Sequence, residues 1–70
     1  MFWWFERSGA YLRCEAQRMA TGSYELRIVS PDGSEQVEHF ADSIDLTNRQ
    51  HAIIEDATRH GWSGPHGWVL

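Results

Sequence analysis

The chain has one cysteine, Cys14, so no internal disulfide can form, which fits a reducing cytosol. Basic side chains are few: six against ten acidic ones, for a net charge of −4, with no block of either sign. That balance argues against nucleic acid and against an acidic membrane surface, both of which favour basic patches. No apolar run approaches the roughly 20 residues of a membrane-spanning helix. Met1-Phe2-Trp3-Trp4-Phe5 is apolar but lacks the basic start and the apolar length of a signal peptide. There is no low-complexity tract, no Gly-x-Gly-x-x-Gly and no phosphate-binding loop, so nucleotide binding has no support. The expectation is a cytoplasmic protein without cofactor. Its 70 residues make one domain. A chain of this size buries only about 60% of its unfolded surface. Without a disulfide, a partner or self-association is the natural supplement to so small a core.

What is present is a set of strand signals and one helix signal. Tyr24, Leu26 and Ile28 alternate with Glu25 and Arg27, the period of a half-buried strand. Pro31-Asp32-Gly33 follows, and then Ser34 to Phe40. Proline presets the second position of a type I turn and glycine accepts the left-handed conformation after it, so a three-residue loop with a glycine bulge is expected. Ser30 then faces Ser34, Tyr24 faces Phe40, Ile28 faces Gln36 and Leu26 faces Glu38. The last two pairs place polar groups on an apolar face. A two-residue Asp32-Gly33 loop would instead put Ile28 opposite Val37 and Pro31 in the ladder, and a slip of one residue exchanges the faces of a strand.

Arg7-Ser8-Gly9 and Ala20-Thr21-Gly22 read as similar loops. The second puts Ala16 opposite Leu26, Cys14 opposite Ile28 and Glu15 opposite Arg27, apolar pairs on one face and an opposite-charge pair on the other. The first, read as three residues, puts Trp4 opposite Leu12 and Phe5 opposite Tyr11. The core face would then hold Phe2, Trp4, Leu12, Cys14, Ala16, Tyr24, Leu26, Ile28 and Phe40.

Thr47-Asn48-Arg49-Gln50 has the form of a capping box, and Leu46, Gln50, Ile53, Ile54 and Ala57 share one side at helical spacing. Gly61 is a left-handed cap, with Trp62 placed to fold back on Ala57. The whole of 1–70 thus reads as a single small α+β domain in two layers. Strands lie near 2–6, 10–19, 23–30 and 34–40, a helix near 47–60, and an irregular tail over 61–70. The sheet is a four-stranded antiparallel meander, or three-stranded if the N-terminal aromatic run stays out, with the helix packed on one face. Trp68-Val69-Leu70 either hangs loose or packs back.

The run from Pro31-Asp32-Gly33 through Glu38 and Phe40 to Leu46, Arg49, Gln50 and Gly61-Trp62 resembles small uncharacterised bacterial proteins. In those, a strand ending in an acidic and an aromatic residue leads into a helix that stops at Gly-Trp. The resemblance implies a bacterial cytosolic protein and brings no activity with it.

Chemistry-bearing residues are sparse. His39, His51, His60 and His66 lack the paired spacing of zinc ligands. Cys14 falls on the core face, where a thiol is a small hydrophobe rather than a nucleophile. No nucleophile and base, and no carboxylate pair in a pocket, marks an enzyme. The feature above background is aromatic. On the face away from the helix this reading places Trp3, Phe5, Tyr11 and Arg13, with Arg13 opposite Trp3 in reach of a cation–π contact. Exposed aromatics rimmed by charge mark interaction sites. The expectation is therefore a protein-interaction module, binding itself or a protein partner through these four residues and an edge strand. The alternatives are single-stranded nucleic acid stacking on the same rings, and a second small core in which Trp62, Trp68 and Leu70 cover them.

Overall fold

A computed structural model describes residues 1–67. Five strands and one helix follow in the order β1 (Phe2–Arg7), β2 (Ala10–Arg18), β3 (Tyr24–Val29), β4 (Glu35–Phe40), α1 (Ser43–Arg59) and β5 (Ser63–His66). The strands form one antiparallel sheet in the order β4-β3-β2-β1-β5. The class is α+β, as expected, but the sheet has a fifth strand.

The two later hairpins have the expected registers. Cys14 pairs with Ile28 and Ala16 with Leu26. Tyr24 pairs with Phe40, Leu26 with Glu38 and Ile28 with Gln36. In the Pro31-Asp32-Gly33 loop, Ser30 N–H donates to Ser34 O at 2.9 Å and Gly33 takes φ +88°. Asp32 Oδ1 accepts from the Ser34 amide and hydroxyl at 2.9 and 2.7 Å, which lowers the Asp32 pKa.

The first hairpin differs by one residue. Arg7 pairs with Ala10, leaving only Ser8 and Gly9 in the turn. Both have positive φ, +50° and +82°, the signature of a type I′ turn whose twist matches that of the strands. Shortening the loop by one residue turns β1 over. Trp3 lies opposite Cys14 and Phe5 opposite Leu12, and both aromatic rings are fully buried under the helix. Phe2, Trp4 and Glu6 take the uncovered face. The assignment of Trp4 to the core and of Trp3 and Phe5 to the open face is thereby reversed. Met1 extends the ladder, exchanging backbone hydrogen bonds with Ala16.

The helix begins at Ser43, four residues before Thr47. Its N-cap is Asp42, in extended conformation, whose carboxylate accepts from Asp45 N–H at 2.9 Å. Thr47 is consequently an exposed residue within the helix, and Gln50, freed from a capping role, is buried with its amide against the Met1 sulfur at 3.8 Å. Leu46, Ile53 and Ala57 fill the space over Trp3, Phe5, Cys14, Ala16, Leu26 and Ile28. At the other end Trp62 N–H reaches Ala57 O at 3.0 Å and Gly61 N–H reaches Thr58 O at 3.1 Å, a Schellman motif around the left-handed Gly61. Arg7 holds that end to β1: its guanidinium donates to His60 O at 2.7 Å and stacks 4.6 Å from the Trp62 ring.

The expected irregular tail contains β5, which pairs with β1 through Trp4–His66 and Glu6–Ser63 across an irregularity. A Cβ on Gly64 would lie 2.9 Å from Trp4 O, so only glycine lets the two backbones approach. Trp68, Val69 and Leu70 lie outside the described residues.

Glu38 and Gln36 do face the helix side, where their polarity is satisfied. Arg49 of the helix clasps Glu38 with two hydrogen bonds, 2.8 and 3.0 Å, and Gln36 donates a third at 2.6 Å. Hydrogen bonding from Arg49 holds the Glu38 carboxyl below its ordinary value of 4.5, against the opposing effect of partial burial; the charge of Arg49 and the Gln36 contact add to it.

Trp3→Ala should cost about 3–5 kcal/mol, the range for a buried aromatic, and Trp4→Ala less, since its ring is only partly buried. Denaturant midpoints measure both, and equal losses would contradict the reversed β1. Glu38 has a depressed folded pKa, so its stabilisation is full above pH 4.5 and is lost as pH falls through the folded value. Arg49→Met should remove about 1 kcal/mol at pH 7, the upper end for a part-exposed but bidentate pair. As the pH falls through that folded value the variant and the parent should converge; a gap unchanged by acid would mean that the ion pair contributes nothing.

Candidate interaction surface

The face of the sheet opposite the helix has two halves, set by strand parity. On β3 and β4 it carries Glu25, Arg27, Val29, Glu35, Val37 and His39. These charges are paired: Arg27 bridges Glu25 at 3.3 Å and Glu35 at 3.5 Å, and His39 lies 3.5 Å from Glu25. On β1, β2 and β5 the face is aromatic. Trp4 stands between Phe2, centroids 6.0 Å apart, and His66, 5.9 Å, both tilted, while the Gly67 backbone lies against its ring. Phe2 is 42% exposed and Tyr11 51%.

Arg13 sits on the seam, between Trp4 on β1 and Val29 on β3. Its side chain makes no hydrogen bond or ion pair among the described residues. Two open depressions flank it. One, of about 330 Å³, is bounded by Phe2, Glu15, Arg27, Val29 and Glu35. The other, of about 510 Å³, lies between Tyr11 and the Ser30-Pro31 turn. The Arg13 side chain thus lies between the exposed Phe2 and Tyr11 rings and lines both hollows.

Of the four residues expected here, the structure keeps Tyr11 and Arg13 on the open face and removes Trp3 and Phe5 to the core. In their place it brings Phe2, Trp4 and His66. Reading Ser8-Gly9 as a two-residue turn would have found the first two. His66 had no signal, because nothing in Ser63-Gly64-Pro65-His66 has a strand period. Trp62 packs at the margin of the main core rather than over these rings.

One cluster has the outline of catalytic chemistry. Ser63 Oγ lies 3.2 Å from His66 Nε2 and 3.4 Å from Glu6 Oε2. In a hydrolytic triad the carboxylate orients the imidazole through its other nitrogen. Here Glu6 meets the hydroxyl instead, and the three are exposed or half-exposed. The geometry is that of a strand-end hydrogen-bond cluster. Among the described residues no three His, Cys, Asp or Glu side chains converge in a metal-binding arrangement, and no helix is long and apolar enough to cross a membrane.

Comparison with protein families, with curated proteins and with solved structures finds no match to this chain. The reading of the surface therefore rests on its geometry.

Cys14 lies beneath this face, turned to the helix. Burial pushes its thiol up to about 12, outweighing the pull of Arg49 in the other direction. A disulfide reagent at pH 8 should react with the native protein about 100-fold more slowly than with the unfolded chain, because only the thiolate attacks. Equal rates would place the thiol at the surface.

Proposed function

We propose that this chain is a small cytosolic protein-interaction module, without catalytic activity, that holds a protein partner on its open sheet face. The observation that carries the reading is the Phe2–Trp4–Tyr11 aromatic patch with Arg13, whose side chain has no partner among the described residues, at its edge. Large rings and arginine dominate the energetics of protein interfaces. The same face carries Glu6, Glu15, Glu25 and Glu35 against Arg13 and Arg27, an acidic balance. That favours a protein over a nucleic acid, whose phosphates the carboxylates would repel. The cytosolic placement rests on Cys14, a buried and unpaired thiol. A binding role is preferred to a catalytic one because Ser63, His66 and Glu6 are connected in the wrong order for proton transfer.

The test is affinity capture with the intact chain, identification of the bound protein, and titration of that protein in purified form. Tyr11→Ala and Arg13→Ala should each weaken binding by about tenfold or more, as interface anchors do. Ile44→Ala, an exposed apolar change on the helix, should leave it unaltered. Equal effects at all three positions, or capture of oligonucleotides with a steep salt dependence, would sink the proposal.

A further inference from the structure

A sheet of five strands in the order β4-β3-β2-β1-β5 has two edges. The β5 edge is blunt: it is four residues long and contains Pro65, which has no N–H to offer. The β4 edge is different. It runs for six residues, Glu35–Phe40, without proline, lysine or bulge, and its register with β3 is unbroken. Those are the usual devices that keep an edge from pairing. A charge pointing inward is another, but Glu38, the one β4 carries, is neutralised by Arg49.

The groups left unpaired along this edge follow from the ladder. Ser30 N–H donates to Ser34 O, so the even-numbered residues of β4 bond to β3. Met19 N–H donating to Ser23 O gives the same alternation from the other side, committing the odd-numbered residues of β3 to β2. Glu35, Val37 and His39 therefore direct their N–H and C=O groups outward.

Among antiparallel self-pairings that use these three residues, one is complementary. Centred on Val37, it sets Val37 against Val37 of a second copy, Glu35 against His39, and Gln36 against Glu38. An apolar side chain that is 44% exposed meets its like, a carboxylate meets an imidazole, and an amide meets a carboxylate. Centring on Glu35 or on Glu38 opposes like charges. Centring on Gln36 leaves Glu35 facing Val37.

We propose that β4 is a self-pairing edge: two copies join antiparallel about a two-fold axis through Val37. Five strands from each make one sheet of ten, with both helices on one side and the two open faces continuous on the other. The proposal extends the reading of the chain as an interaction module, and its occupant is a second copy rather than the partner of the open face.

Val37→Pro is the deciding variant. It removes an outward N–H and spares every β3–β4 hydrogen bond. Sedimentation should show the parent chain dimerising between about 10 μM and 1 mM, in about 0.15 M salt, where the like net charges of two copies are screened beyond about 8 Å. Val37→Pro should raise the dissociation constant by about 30-fold or more while circular dichroism and Tm stay near the parent's, since three outward residues lose their ladder. In a second arm, Val37→Cys should form a disulfide-linked dimer about tenfold faster than Glu35→Cys or Ile44→Cys, because only the residue on the axis meets itself at disulfide distance. This arm decides the matter if Val37→Pro does not fold. A parent chain monomeric at about 1 mM, or cross-linking equal at the three cysteine positions, overturns the proposal. So does a dimer that survives Val37→Pro and dissolves on Trp4→Ala with Tyr11→Ala, which would put self-association on the open face. Loss of the open-face partner alone, with the β4 dimer intact, would instead remove only the reading under which that face binds a protein.

Discussion

The constraint on which the molecule depends is the two-residue turn at Ser8-Gly9. Two aromatic pairs compete for one buried face: Trp3 with Phe5, and Phe2 with Trp4. A strand can bury only alternate residues, so the turn decides which pair becomes core and which becomes surface. With both turn residues left-handed, Trp3 and Phe5 go under the helix, and the two largest fully buried side chains both come from β1. The other pair is not simply discarded into water. Trp4 is partly buried, with the chain from Gly64 to Gly67 lying close to it. One turn thus sets both the content of the core and the character of the open face.

The helix supplies the second condition. Seventeen residues crossing one face of a five-stranded sheet can cover the middle and leave the rim. It is held at its start by the Asp42 cap and the Arg49–Glu38 clasp to β4, and at its end by Arg7 of β1 gripping the last turn. The polar residues on β4, which look misplaced on a core face, form one of those fastenings. Among the described residues nothing forms a second layer on the opposite face, and that face keeps Phe2, Tyr11 and Arg13 exposed.

Much of this was legible in the amino-acid sequence wherever a local signal and a long-range pairing agreed. The Pro31-Asp32-Gly33 turn, the Cys14–Ile28 and Ala16–Leu26 pairs and the Gly61-Trp62 stop each rest on chemistry that a few neighbouring residues determine. The misreadings have physical causes. Ser8-Gly9 permits two- and three-residue loops nearly equally, and the strand beyond it, Phe2 to Phe5, is apolar on both faces, so no periodicity could choose. At the helix start, Asp42 and Thr47 are both good caps, and packing of Leu46 against the core favours the earlier. Strand β5 is formed by contact with β1 and has no periodicity of its own. Half of the candidate surface was misassigned for the first reason alone: Tyr11 and Arg13 sit on a strand of clear alternation, whereas Trp3 and Phe5 do not.

Edge and face are linked through β4. Glu35, Val37 and His39 point their backbone groups outward along the edge while their side chains stand on the open face, beside Arg27 and Glu25. A second strand added to β4 would therefore touch the charged half of that face directly and reach the aromatic half only through the sheet. Glu35 and His39, now bonded within the chain to Arg27 and Glu25, would exchange those exposed, individually weak contacts for cross-strand ones. Such an exchange changes little in energy, so the net gain must come from the backbone hydrogen bonds and the covered Val37. A chain too short to bury much of its own surface gains from adding strands, and β4 is the side on which it can add them without disturbing Trp3, Phe5 or the helix that covers them.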